Sequence, residues 1–313
     1  MAMIRECDLP RMHHYQSYDL AWLTPIVFPL SMAIVVQGGA WVALFRERSS
    51  MQSAATILAA GELLVETFFG IFCFASCVAN FGGRDYAGGQ SHCAFQAWYA
   101  GWYIFSQLPM LATISAASFL TFRDEGALPS TGASAAAVLG SLGVGALVAA
   151  LPFFGIGQYV FAKDYCTVDM QDPAFAVLLI IFVLVTAGLM LLGHGRALLK
   201  PSTLPKQKTI SAAAVLLFLW GWTVAAVISL HGLAGGGFCG DPFETKSPAY
   251  GLNAVFLHVQ QLANPILYVM YWRRQFPAFS YASADVQPGT GTVVVTGKKQ
   301  VELGDQDQSV AGA

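Results

Sequence analysis

Apolar residues run along this chain in seven long blocks separated by short polar stretches. Crossing the hydrocarbon core of a bilayer takes about 20 mainly apolar residues in a helix. Seven segments meet that length: 22–45, 54–79, 94–122, 133–154, 174–192, 210–230 and 252–271. The first block follows a polar leader with charges of both signs and no small-residue cleavage site, so it reads as a retained helix and not a signal peptide. From about residue 278 the pattern changes to Gly, Gln, Asp, Val, Thr and Ser without helical periodicity, which predicts a disordered tail. The expected organisation is a short N-terminal segment (1–21), a seven-helix transmembrane domain (22–277) and the tail (278–313). No long-period repeat is evident, so an inverted-repeat transporter architecture gets no support.

Composition sharpens this reading. Of the 313 residues, 56% are hydrophobic and only 11% charged, less than half the roughly 25% of a soluble domain. The expected fold class is therefore an all-α integral membrane protein, a seven-transmembrane helix bundle. The formal net charge of −2 gives no footing for a nucleic-acid partner. Cations set the orientation. One side collects Arg46, Arg48, Arg123, Arg196, Lys200, Lys206, Lys208, Arg273 and Arg274, and the other Arg5, Arg11, Arg84, Lys163 and Lys246. The richer set marks the cytoplasm, which puts the N-terminus outside, the C-terminus inside, and the chain in the cell membrane as a multi-pass protein.

On this topology Cys7, Cys93, Cys166 and Cys239 fall on the outer side, where oxidation is open to them. A Cys93–Cys166 bond would tie the loop between the fourth and fifth spans to the top of the third. Cys7 with Cys239 would then join the leader to the last outer loop. Cys73 and Cys77, four apart in the second span, read as buried thiols. A metal pair gets little support, since no His or carboxylate completes a set of ligands for them.

Ionisable groups inside a membrane default to functional hypotheses. Glu62 and Glu66 are the acids within the spans, one helical turn apart. Gln107 in span three and Gln260, Gln261 and Asn264 in span seven are the polar residues best able to meet them. Along span three, Gln96, Tyr99, Tyr103 and Gln107 trace one face. With Trp222 and His258 they would line a mostly apolar ligand cavity. Taken singly, each aromatic reads first as packing, and His258 as a hydrogen-bonded helix partner. In the stretch "LANPILYVMYWRRQF", Pro265 interrupts span seven, and a polar interior can satisfy the carbonyl it releases. A kink there with Tyr268 one turn on can act as a switch or stand as a static bend.

Several motifs carry a family resemblance. Asn264-Pro265-Ile266-Leu267-Tyr268 matches the Asn-Pro-x-x-Tyr motif of span seven in rhodopsin-like G-protein-coupled receptors. Phe218 and Trp222 resemble that family's Phe-x-x-Cys-Trp-x-Pro, with Gly221 for Cys and Val224 for Pro. "LAAGELLVE" is similar to its Leu-Ala-x-x-Asp-Leu, with Glu62 for Asp. Cys93 opening span three and Cys166 in the second outer loop fit the same pattern. "CAFQAWYAGWYIFSQL" also resembles the third span of cyclic-AMP-receptor-like and secretin-like receptors. The chain departs from the rhodopsin-like pattern at Ala117-Ser118-Phe119, which stands where Asp-Arg-Tyr is usual, and at Gly38-Gly39 for Gly-Asn.

The resemblance implies a receptor for an extracellular small-molecule or peptide ligand, coupled to a heterotrimeric G protein. It also implies a short membrane-surface helix after Tyr271. Asn264, Pro265, Tyr268, Trp222 and Phe218 would form the switch. Arg123, Arg196, Lys206, Lys208, Arg273 and Arg274 would form the G-protein face. A sodium ion would sit among Glu62, Gln107, Gln260, Gln261 and Asn264, hard cations taking oxygen ligands; the competing reading makes this cluster a purely structural tie. Retinal is not expected, because no lysine lies within a span and His258 stands where the animal pattern places one. The alternative function is an ion or proton transporter or channel using Glu62 and Glu66. No metal-ligand spacing, nucleophile motif or phosphate loop supports an enzyme.

Overall fold

A computed structural model of the protein describes residues 17–46, 53–83, 89–123, 129–162, 165–201, 203–235 and 248–275. Residues 1–16 of the expected leader, the tail, Cys7 and Cys239 lie outside the described residues. All seven expected spans are helices: α1 (Ser17–Arg46), α2 (Ala54–Gly83), α3 (Gly89–Arg123), α4 (Thr131–Ala149), α5 (Pro173–Met190), α6 (Pro205–Leu233) and α7 (Pro248–Asn264). The helix starts follow capping chemistry. Ser53, Ser130 and Asp172 accept hydrogen bonds from the backbone N–H groups of Thr56, Ala133 and Ala174, and prolines open α5 and α6 where their missing N–H costs nothing.

α3 is the central helix, packed against α2, α4 and α5. α1 lies against α2 and α7, and α6 joins α5 to α7. Outward faces such as Val177, Ile181 and Leu184 of α5 and Leu139 of α4 are exposed apolar surface, as lipid contact requires. The small residues of α4 divide between two faces. Ser141 and Gly145 are buried, and a Cβ on Gly145 would run into Ser106 and the Trp102 carbonyl of α3. A Cβ on Gly140 would meet nothing. Close helix approach thus uses one small-residue row and leaves the other outside.

One element between the helices is not helical. α4 stops at Ala149, short of the expected 154, and a 3-10 turn (Leu151–Phe154) follows, with Pro152 in place and Gly155 at φ 80°. Proline lacks the donor that would continue the helix. The chain then forms an antiparallel hairpin, β1 (Tyr159–Ala162) with β2 (Tyr165–Val168), pairing Tyr159 with Val168 and Phe161 with Cys166. Tyr159 donates its hydroxyl to the Ala149 carbonyl at 2.8 Å, and burial pushes that hydroxyl's pKa up. Cys166 is disulfide-bonded to Cys93, with Cα atoms 5.2 Å apart, and its N–H donates to Gln96 Oε1 at 2.9 Å. The hairpin is therefore clamped to α3 by a covalent bond and a buried hydrogen bond.

Two helices widen where α-helical geometry is strained. α5 continues through a π-helical turn (Leu191–Gly195) into Arg196–Leu199, and Gly193 backs directly onto the Ser115 carbonyl of α3. α7 becomes π-helical from Pro265 to Trp272 and ends in a 3-10 turn, Arg273–Gln275. A proline ring crowds the carbonyl four residues back, and a wider turn relieves that crowding. The membrane-surface helix expected after Tyr271 is represented among the described residues only by that 3-10 turn.

Gly145→Leu should lower the thermal stability of the purified protein by about 1–3 kcal/mol through overpacking of the α3–α4 contact. Gly140→Leu should change it by no more than about 0.5 kcal/mol. Equal effects of the two in thermal unfolding would rule out this close approach.

Candidate functional site

Midway along the bundle, α2 presents Glu62 and Glu66, both fully buried. Gln107 of α3 donates through Nε2 to Glu62 Oε1 at 2.7 Å and to Glu66 Oε1 at 3.0 Å. Asn264 of α7 donates to the same Glu66 oxygen at 2.7 Å. The Glu66 backbone carbonyl accepts from Gln261 at 3.0 Å and Gln37 of α1 at 3.3 Å. One residue thus draws four helices together. Gly70 makes room for this: a Cβ there would lie 2.7 Å from Gln261 Nε2 and 3.0 Å from Gln37 Oε1.

The residues expected around Glu62 divide. Gln107 bonds both carboxylates, Asn264 bonds Glu66, and Gln261 reaches only the Glu66 main chain. Gln260 is not brought into this cluster: its amide packs over Gly221 of α6, the position at which the receptor motif carries cysteine. Any Cβ at 221 would strike that amide, which is why the glycine is tolerated. Four oxygens, Glu62 Oε2, Glu66 Oε2, Gln107 Oε1 and Gln261 Oε1, are buried with no hydrogen-bond partner among the described residues. Such acceptors in a dry interior call for a proton, a water or a cation. Gln37 and Gly70 were not singled out from the sequence. The signal for Gly70 is a small residue one turn beyond Glu66.

Toward the hairpin lies a pocket with about 570 Å³ of empty space, part of it open to the surroundings. Gln96, Tyr99, Tyr103 and His258 line it, as the α3 face suggested. Trp222 is not among its lining residues. It is buried beside Gly221, with no partner for its Nε1 among the described residues. The walls gain Cys73, Cys77, Met170 and Asn253, and β2 adds Tyr165, Cys166 and Thr167. Phe69 and Tyr103 stack at 4.3 Å on one wall. The Tyr103 hydroxyl comes close to Glu66 without a well-formed hydrogen bond, so this residue belongs to both pocket and polar core.

At the opposite end, Tyr268 and Trp272 are buried with their rings edge to face at 6.3 Å. Trp272 donates its indole N–H to Ser118 Oγ at 2.9 Å. Ser118 occupies the position where the family pattern has arginine, so α3 is tied to α7 here by a neutral hydrogen bond. Arg196 lies 5.6 Å from the Phe119 ring centroid, a cation–π contact from α5 to α3. Phe218 is buried in α6. Among the cations expected at this face, Arg196, Lys206 and Arg274 are exposed and Lys208 is half-buried. Arg273 is turned inward and buried, its Nε donating to the Val269 carbonyl. The Arg123 side chain lies outside the described residues.

No family model and no curated protein matches the sequence. Among solved structures, the crystal structure of squid rhodopsin is similar with a TM-score of 0.64 at 16% identity, over 88% of this chain and 88% of that one. The chain has the rhodopsin-like seven-helix fold.

Trp272→Phe and Ser118→Ala should each reduce stability. The second should cost more, about 1–3 kcal/mol, because it strands a buried indole donor. A double-mutant cycle by thermal unfolding should return a coupling of about 0.5–1.5 kcal/mol; strict additivity would show that the contact contributes nothing.

Proposed function

We propose that the protein is a cell-surface receptor with its N-terminus outside. It binds an extracellular small molecule or peptide in the hairpin-capped pocket and signals to a cytoplasmic heterotrimeric G protein. The observation that carries this reading is the column of contacts from pocket to far end. The Tyr103 hydroxyl of the pocket wall lies close to Glu66, Asn264 joins Glu66 to α7, and two turns on Trp272 ties α7 to Ser118 of α3. A ligand that shifts Tyr103 acts on a polar core that holds α7 in place. The exposed Arg196, Lys206 and Arg274 supply cations at the far face. The absence of the Asp-Arg-Tyr arginine is offset, in this reading, by the Trp272–Ser118 and Arg196–Phe119 ties, which must break for the far end to open.

Sodium is the ion this reading assigns to the unpartnered oxygens around Glu62 and Glu66. Raising sodium to about tenfold above its Kd should stabilise the purified protein by about 1.4 kcal/mol. The shift should vanish in Glu62→Gln and Glu66→Gln. An equal shift with choline, or one that survives both substitutions, would remove the ion from the core.

The signalling claim is tested by nucleotide exchange on the host's Gα subunits with the receptor in lipid nanodiscs, with and without an extract of host metabolites. Receptor-dependent exchange that falls in Tyr268→Ala is the expected result. Flux of ions or protons into liposomes that is lost in Glu62→Gln, without any exchange, would favour the ion-path reading, whose support is the same pair of buried carboxylates.

A further inference from the structure

Cys73 is a thiol on the pocket wall with a base beside it. Its Sγ lies 3.1 Å from His258 Nε2. His258 Nδ1 lies 2.6 Å from the Ala254 carbonyl, which can only accept, so Nδ1 carries the ring proton and Nε2 turns its lone pair to Cys73. Nucleophile, base and a group that orients the base thus stand in one line, the arrangement by which side-chain nucleophiles are activated. Cys77 completes it, its Sγ 3.6 Å from that of Cys73, placed to donate S–H to a sulfur on which negative charge develops. Both cysteines are free and border the pocket. Among the described residues no group of three His, Cys, Asp or Glu is arranged to hold a metal ion, so the chemistry on offer is that of a thiol with a base.

We propose that the pocket captures an uncharged, apolar α,β-unsaturated carbonyl compound covalently at Cys73, an inference that rests on reading this cavity as the ligand pocket. The Cys73 sulfur bonds to the β-carbon as the carbon–carbon π bond opens. The thiol proton passes to His258 Nε2 and is returned to the α-carbon. The product is a saturated thioether; nothing is oxidised and nothing leaves. Phe69, Tyr103 and Leu257 supply the apolar walls. The Tyr103 hydroxyl, buried and without a partner among the described residues, supplies a donor for the carbonyl oxygen of such a molecule.

The test uses full-length protein in nanodiscs and non-3-en-2-one, an uncharged enone, with adducts located and timed by peptide mass spectrometry. Cys73 should react at least about tenfold faster than Cys77, and His258→Gln, which keeps a polar side chain but takes up no proton, should slow Cys73 by about tenfold or more. Cys77 should keep its rate in that variant, which a general loosening of the pocket would not allow. Equal labelling of the two thiols in the wild type, or no adduct at Cys73 while unfolded protein is fully alkylated, overturns the proposal without need of any variant. Unchanged Cys73 labelling in a folded His258→Gln protein does the same. Because adducts are scored by mass, their formation in a protein that drives no nucleotide exchange would fail the receptor reading alone. Exchange with a different ligand and no adduct would fail only the covalent capture.

Discussion

Burying two carboxyl groups one turn apart in the same helix is the demand around which the rest of this bundle is arranged. A bilayer interior offers no water to share the burden, so the donors that meet these carboxyl groups come from other helices. Glu66 draws donors from α1, α3 and α7, and each donor needs its own clearance. Gly70 sits where the Gln37 and Gln261 amides pass. The positions of four helices follow from satisfying one side chain and its carbonyl. Packing of the remaining apolar surface has no such directionality, since lipid tails and leucines are alike in polarity.

The hairpin plays a complementary part at one end. Clamped to α3 by the Cys93–Cys166 bond and the Gln96 contact, it supplies part of the pocket wall from a segment outside the helices. The pocket therefore has one wall of stacked aromatics and another fastened to α3. Its thiol–imidazole edge, formed between α2 and α7, sits just above the polar core, so chemistry at Cys73 would be felt by the same helices that Glu66 joins.

Much of this was legible in the sequence because the bilayer enforces it. Span lengths located seven helices, and the Cys93–Cys166 bond expected between the third span and the second outer loop is present. What escaped was set by rotation and local geometry. Gln260 and Gln261 are adjacent, and only one can face Glu66; composition offers both equally. Leu151-Pro152-Phe153-Phe154 is as apolar as the helix before it, so α4 was expected to continue through a proline that ends it. The short apolar runs around 159–168 were too brief to weigh against helical neighbours. The meeting of Cys73 with His258 joins residues 185 apart in sequence and depends on how α2 and α7 turn toward each other, which no local pattern encodes.

The π-helical stretch of α7 bears on how this chain is compared with others. From Pro265 to Trp272 each turn holds more residues than an α-helix does, so side chains past the proline point in directions that ordinary helical spacing would misassign. Carrying positions across from a regular helix by counting along the motif will put Tyr268 nearly right and Arg273 on the wrong side. The inward turn of Arg273 is the visible result. The Arg273 guanidinium at the end of this helix is held inside the bundle and not offered at its far face.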